Sequence, residues 1–121
     1  MTITQETAVP FVTAWFDAWN RHDVDAITSH YAAHVEYYSP FVADLADGSG
    51  RLQGIEAVTA YFRAALERFP DLRFEPPLHV AVGAGSVAFV YRSVNGLLAV
   101  ETLVFGETGR VCRAHCHYSP P

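Results

Sequence analysis

Residues 54–74, G-I-E-A-V-T-A-Y-F-R-A-A-L-E-R-F-P-D-L-R-F, constrain the fold more than any other stretch of the chain. Ile55, Val58, Phe62, Ala65, Leu66 and Phe69 recur at helical spacing, with Tyr61 beside them. Glu56, Thr59, Arg63, Glu67 and Arg68 fall on the other side. Pro70 cannot continue that helix. Beyond it Leu72 and Phe74 alternate with Arg73 and Glu75, the pattern of a first strand. A wide apolar helical face leading into an apolar sheet predicts a curved sheet closed over by helices, with a cavity between the layers.

The chain has 121 residues, enough for one domain spanning 1–121 with a real core. Half of it is hydrophobic, and eight Phe, six Tyr and two Trp supply the bulk of that core. The formal net charge is −5 and there is no basic stripe, which argues against nucleic acid as a partner. No apolar run reaches the length of a membrane span, and the first ten residues lack the basic and apolar regions of a signal peptide. The expected location is therefore cytoplasmic. Cys112 and Cys116 are four residues apart in an expected strand, so their backbones lie about 13 Å apart, too far for a mutual disulfide. C-x-x-x-C on a strand is not a zinc motif either.

The elements follow in order. A first helix is expected over 6–20, with Val12, Trp15, Phe16 and Trp19 as its apolar stripe and Pro10 in its first turn. N-R-H-D-V-D-A-I ends it, and Asp23 can cap a short second helix carrying Val24, Ile27 and Tyr31. V-E-Y-Y-S-P-F reads as a short strand with Val35 and Tyr37 facing one way and Glu36 and Tyr38 the other. Residues 43–50 are turn-rich and read either as a lid or as a surface excursion. After the long helix come L-H-V-A-V, a turn at Gly83-Ala84-Gly85, and S-V-A-F-V-Y-R-S-V. Asn95-Gly96 then gives a strong two-residue hairpin signal leading into L-L-A-V-E-T-L-V-F. Gly106-Glu107-Thr108-Gly109 turns the chain into R-V-C-R-A-H-C-H-Y. Helices, a strand, a helix and an antiparallel meander make an α+β protein.

This order resembles the nuclear transport factor 2-like superfamily, in its SnoaL-like and ketosteroid isomerase-like branch. The resemblance rests on the aromatic first helix ending W-N-R-H-D-V-D-A-I, the V-E-Y-Y-S-P strand, G-I-E-A-V-T-A-Y-F, F-P-D-L-R-F, V-A-V-G-A-G-S-V-A-F-V-Y and the closing F-G-E-T-G-R-V, which together cover nearly the whole chain. It implies a cone of curved antiparallel sheet wrapped by three helices around one apolar cavity, commonly as a homodimer. It leaves the reaction open, since members include isomerases, dehydratases, cyclases, epoxide hydrolases and non-catalytic binders.

The resemblance also implies site positions, and this chain departs from several. Steroid isomerases place a proton-abstracting carboxylate on the short strand, where this chain has Tyr37 to Ser39, and a tyrosine donor where Trp15 stands. An indole N–H can donate a hydrogen bond but cannot exchange protons as a phenol does. A second family acid aligns with Glu101, set in the apolar run L-L-A-V-E-T-L-V-F. Facing a pocket, Glu101 would have a raised pKa and serve as general acid or base. Facing outward, it would be an edge or interface glutamate, or pair with Arg92 across the hairpin. Cyclase-like and epoxide hydrolase-like relatives often carry an Asp near Cys116, and that acid is missing here.

Alternation places Cys112, Ala114, Cys116 and Tyr118 on one face of the last strand and Arg113, His115 and His117 on the other. Cys116 reads as a small buried hydrophobe and alternatively as a thiolate. Tyr118 reads as a phenol at the cavity's end, and Tyr37 as a further hydroxyl donor. H-x-H puts two imidazoles about 7 Å apart, and a metal would need His79 as third ligand; a polar outer face or dimer contact is the plainer reading. His22, His30 and His34, on or beside the second helix, read as surface residues. No cofactor and no metal is expected. Trp15, Trp19, Phe62, Phe89 and Cys116 are the candidates for lining the cavity, which would select a small hydrophobic ligand. Proton-transfer chemistry by Glu101 with Tyr37 and Tyr118 is one reading, and a non-catalytic binding or dimerisation module is another. Epoxide hydrolysis is a third, needing Glu101, Arg92 and a second acid such as Asp44 or Asp47 from the loop.

Overall fold

The computed structural model describes residues 2–44 and 48–121, with the side chains of residues 43 and 44 left aside. Helix α1 runs Gln5–Asn20 and α2 Val24–Thr28; strand β1 spans Tyr31–Tyr38, β2 Arg51–Gln53; α3 covers Ile55–Arg68. Strands β3 (His79–Gly83), β4 (Ser86–Arg92), β5 (Leu98–Phe105) and β6 (Val111–Ser119) finish the chain. The strands form one sheet in the order β2-β1-β6-β5-β4-β3. The meander is antiparallel as expected, but β1 and β6 pair in parallel, so the sheet is mixed. The chain returns its last strand to its first, and the number of reversals between them sets the direction. Register shifts in β1, between Tyr31 and Glu36, and between Val104 and Phe105 of β5 are bulges of the kind that bend a sheet. The result is the expected α+β cone.

Helix α1 begins one turn before Pro10 could sit in its first turn. Thr4 caps it, with its hydroxyl accepting from the Thr7 N–H while Thr7 returns a bond to the Thr4 N–H, a reciprocal capping box. Pro10 therefore lies inside the helix and cannot donate to the Glu6 carbonyl. Asp23 caps α2 as expected, accepting from the Ala26 N–H at 3.1 Å. Tyr31 belongs to β1 rather than to α2, because α2 stops at Thr28 and Tyr31 pairs with Val111 of β6.

Leu72 and Phe74 do not form a strand. Both backbone groups of Phe74 are bound by a side chain: the Asn20 amide donates to its carbonyl at 3.0 Å and accepts from its N–H at 2.7 Å. His22 Nε2 lies 2.8 Å from the Leu72 carbonyl. With its polar groups thus satisfied, the segment is strapped across the end of α1, and the strand starts only at His79. His22 is accordingly half-buried, and so is His30, whose ring packs edge-on against Phe11 at 5.0 Å. His34 is exposed.

Asn95 and Gly96 both take the left-handed conformation of a hairpin turn. The loop is one residue longer than the two-residue form. The Leu97 N–H donates to the Val94 carbonyl at 3.2 Å, and the Ser93 N–H closes the turn on the Leu97 carbonyl at 2.7 Å. Arg92 therefore faces Leu98, and Phe89 faces Glu101. The core runs between α1, α3 and the concave face, with Trp15, Phe62, Phe89, Ile27 and Leu103 fully buried.

Candidate functional site

Glu101 stands mid-strand on β5, between Phe89 of β4 and Cys116 of β6. Val87, Phe89 and Tyr91 are the inward residues of β4, so Glu101 points inward with them and is 3 % exposed. The Tyr91 hydroxyl donates to its Oε1 at 2.8 Å, and the Cys116 side chain makes a second hydrogen bond to the carboxyl. Burial pushes the carboxyl up to about 7, and these two hydrogen bonds restrain the rise. No cation offsets it. The ion pairs among the described residues join Glu36 of β1 to Arg51 and Arg113 at 3.0 and 3.3 Å on the outer face. Arg92 is exposed and paired with Leu98 in the ladder, so the outward, Arg92-paired reading of Glu101 does not hold.

Buried polar groups extend from Glu101 across four adjacent strands. Tyr91 lies on β4, Glu101 on β5, Cys116 on β6 and Tyr37 on β1, with Cys116 Sγ donating to the Tyr37 hydroxyl at 3.2 Å. Burial is the first cause raising the Tyr37, Tyr91 and Cys116 groups well above their ordinary values, so all three are neutral donors at physiological pH. Burial also raises Tyr118, whose ring lies 4.4 Å from that of Phe41. The buried Ser39 hydroxyl bonds with the Tyr61 and Tyr118 phenols.

An inner chamber of ≈ 80 Å³ opens over this row. Glu101, Tyr37, Tyr91 and Tyr118 border it from the sheet, and Trp15 and Trp19 from α1. Phe41, Tyr61, Ala65, Phe69 and Val94 border both this chamber and an outer cavity of ≈ 390 Å³, so the two are continuous. A surface hollow of ≈ 470 Å³ shares part of that rim but touches none of the buried polar row, and the chemistry belongs to the inner chamber.

The sequence candidates divide by position. Glu101, Tyr37, Tyr118, Trp15 and Trp19 border the chamber. Phe62 and Phe89 are fully buried behind it, Phe62 against Trp19 and Tyr37, Phe89 against Trp15 and Tyr91. Cys116 serves through its hydrogen bonds to Glu101 and Tyr37. Trp15 is a wall but not a donor to the chamber, because its Nε1–H is spent on the buried Tyr31 hydroxyl at 3.0 Å. Cys112 does not share the inward face. A bulge sets Val111 opposite Phe105 and Arg113 opposite Val104, which leaves Cys112 as the unpaired extra residue and Val111 as the buried one.

Arg113, His115 and His117 do share the outer face, with His115 stacked flat on Tyr38 at 4.5 Å. His79 cannot join them as a ligand. It lies on β3, with β4 and β5 between it and β6, roughly 14 Å of sheet. Among the described residues no three His, Cys, Asp or Glu side chains gather as a metal site. Asp47 and the Asp44 side chain, the possible second acids, lie outside the described residues, as does much of the 43–50 loop.

Tyr91, Tyr61 and Ser39 were not found by sequence reasoning. Tyr91 had a signal: it alternates inward with Val87 and Phe89, and it lies diagonal to Glu101 across the hairpin. That diagonal is legible only once the length of the turn is known.

Comparison with known proteins agrees with this architecture. The family model for the SnoaL-like domain matches residues 12–118. A SnoaL-like protein of unknown function from Burkholderia thailandensis E264 shares 48% identity, with 98% of this chain and 99% of that chain covered and a TM-score of 0.92. A provisionally named polyketide cyclase from Sinorhizobium meliloti has a TM-score of 0.71 at 18% identity, covering 89% of this chain and 94% of that chain. A provisionally named ketosteroid isomerase from Kribbella flavida DSM 17836 also reaches 0.71 at 18% identity, over 96% of this chain and 80% of its own. These two likenesses concern the fold. No curated protein matches in sequence. The family model spans nearly the whole chain and the relative from Burkholderia adds close identity over its full length, so the chain belongs to the SnoaL-like domain family within the nuclear transport factor 2-like superfamily.

Proposed function

We propose that the chamber binds a small apolar molecule and that Glu101 moves a proton on it. The observation that carries this reading is the buried carboxyl with no counter-cation, bordering a cavity and raised by burial to about 7. At that value the group is half protonated near neutral pH, where an acid or base works best. Tyr91 orients the carboxyl, while Tyr37 and Tyr118 offer phenolic hydrogen bonds to a polar group on the substrate. The apolar remainder of the walls selects a compact hydrophobic body. Isomerisation, cyclisation and dehydration all use such a proton transfer.

The experiment requires no natural substrate. Deuterium uptake at the α-carbons of cyclohexanone in heavy water, followed by proton NMR, should be accelerated by the protein. Glu101→Gln should lower the acceleration by about a hundredfold or more. Exchange no faster than buffer would favour the second reading, a binding module without catalysis, which the small inner volume of ≈ 80 Å³ supports. Epoxide hydrolysis has less support, because Glu101 is the only acid among the chamber's lining residues and Arg92 is exposed.

A second copy of the chain is our reading for the outer sheet face, where Val82 and Val100 are exposed. Sedimentation would detect it as a dimer. The two free thiols fit a reducing, cytoplasmic setting.

A further inference from the structure

Among the described residues, Trp19 carries the buried side-chain nitrogen that lacks a hydrogen-bond partner. Its side chain borders the inner chamber and the residue is 7 % exposed. Its neighbours are other rings: Phe62 meets it edge to face at 4.9 Å, and Trp15 and Phe74 lie at 6.0 and 6.2 Å. None of these rings offers a lone pair in its plane. One helical turn earlier, the other tryptophan of the chain satisfies its N–H on the Tyr31 hydroxyl. A buried donor without an acceptor is unfavourable, and such groups are rare in folded proteins. Here the donor belongs to a wall of the one space a guest could enter from the outer cavity.

We propose that Trp19 Nε1–H anchors an oxygen acceptor on the bound molecule, and that the ligand is a compact, uncharged carbonyl compound rather than a bare hydrocarbon or a carboxylate. The inference rests on the ligand-chamber reading above. Neutrality follows from the lining, which includes no Lys, Arg or His. A carboxylate brought in beside Glu101 would be stripped of water with no cation to receive it. The nearest guanidinium on the path, Arg68, borders the outer cavity and not the chamber. A ligand oxygen on Trp19 and a second contact at the Glu101–Tyr91 pair would fix orientation with two polar points in an otherwise apolar space.

Acetophenone and α-methylstyrene test this. They share one outline, with the carbonyl of the first replaced by a methylene group in the second. Each is titrated into the protein labelled with 15N-tryptophan. The indole N–H signal of Trp19 is identified by its Overhauser contact with the Phe62 ring, so the readout does not depend on a variant. Acetophenone should bind about tenfold more tightly or better, equivalent to about 1.4 kcal/mol, because only it offers the acceptor. The Trp19 indole proton should move downfield with acetophenone alone, while that of Trp15 stays in place. Trp19→Phe should bring the two affinities to within about twofold, since only the N–H is then lost from the contact. If both compounds bind equally and the Trp19 signal does not distinguish them, the anchor is refuted while the ligand chamber stands. If neither shifts any resonance of the lining residues, both are refuted. An indole signal already displaced upfield by the Phe62 face, and unmoved by acetophenone, would also overturn the proposal, since the donor would then be satisfied within the fold.

Discussion

Replacing Glu101 with glutamine should make stability less dependent on pH, with a sign that distinguishes burial from pairing. The carboxyl sits at about 7 in the folded protein against 4.5 when unperturbed. Between those values the folded state holds a proton that the unfolded state has released, so the stability contribution is complete below 4.5 and is lost as pH rises through 7. The full span corresponds to about 3 kcal/mol, and integration from pH 5 to pH 8 gives a loss of about 2.5 kcal/mol. Glutamine keeps an acceptor for Tyr91 and cannot ionise. The stability of the variant minus that of the native chain should therefore rise by about 2.5 kcal/mol over the same interval, while every other titration cancels in the difference. Urea unfolding at pH 5, 6, 7 and 8, at one fixed protein concentration, reads this directly. With slopes of about 1–3 kcal/mol per molar urea, the midpoint difference should shift by on the order of 1–2 M. A difference that stays flat with pH would mean that Glu101 is not desolvated, and the proton-transfer reading would go with it. A difference that falls with pH would mean a hidden cation stabilises the charge.

Two further outcomes follow from the same contacts. Tyr91→Phe removes a hydrogen bond that holds the Glu101 carboxyl down, so its midpoint in 13C-carboxyl NMR should rise above the native value, and stability above pH 7 should drop by roughly 1–3 kcal/mol; an unchanged midpoint would show that the bond does not form in solution. Asn20→Ala frees both backbone groups of Phe74, so the Phe74 amide should lose protection in hydrogen exchange and the protein should lose roughly 1–3 kcal/mol, whereas protection equal to the native chain would show that another group holds the strap.

The helices were legible because their signals are local. The spacing of Val58, Phe62 and Leu66 needs only the 3.6-residue period to predict a buried stripe, and Asp23 needs only its neighbours to cap a helix. Val35 and Tyr37 were placed inward on the same kind of evidence, and both are buried. The strand misread at Leu72 and Phe74 shows where that evidence ends. Alternation describes which side chains could face a core, not which partner satisfies the backbone, and here the partner was the amide of Asn20, far away in the chain.

The site shows the same division. An acid inside an apolar strand marked Glu101 in the sequence, but whether it faced in or out turned on a single residue in the loop at 94–96. A two-residue turn would have set Glu101 opposite Val90 and turned it to the outer face; the extra residue sets it opposite Phe89 and turns it in. Likewise the bulge opposite Phe105 moved Cys112 out of the inward row while leaving Cys116 in it. The sequence by itself determined the elements, the family and the identity of the buried acid, because period, capping and turn residues act over a few positions. Only the tertiary structure decided the register, the Tyr91 and Cys116 partners and the unsatisfied Trp19 nitrogen, because each depends on backbone hydrogen bonds and packing between segments far apart in the chain.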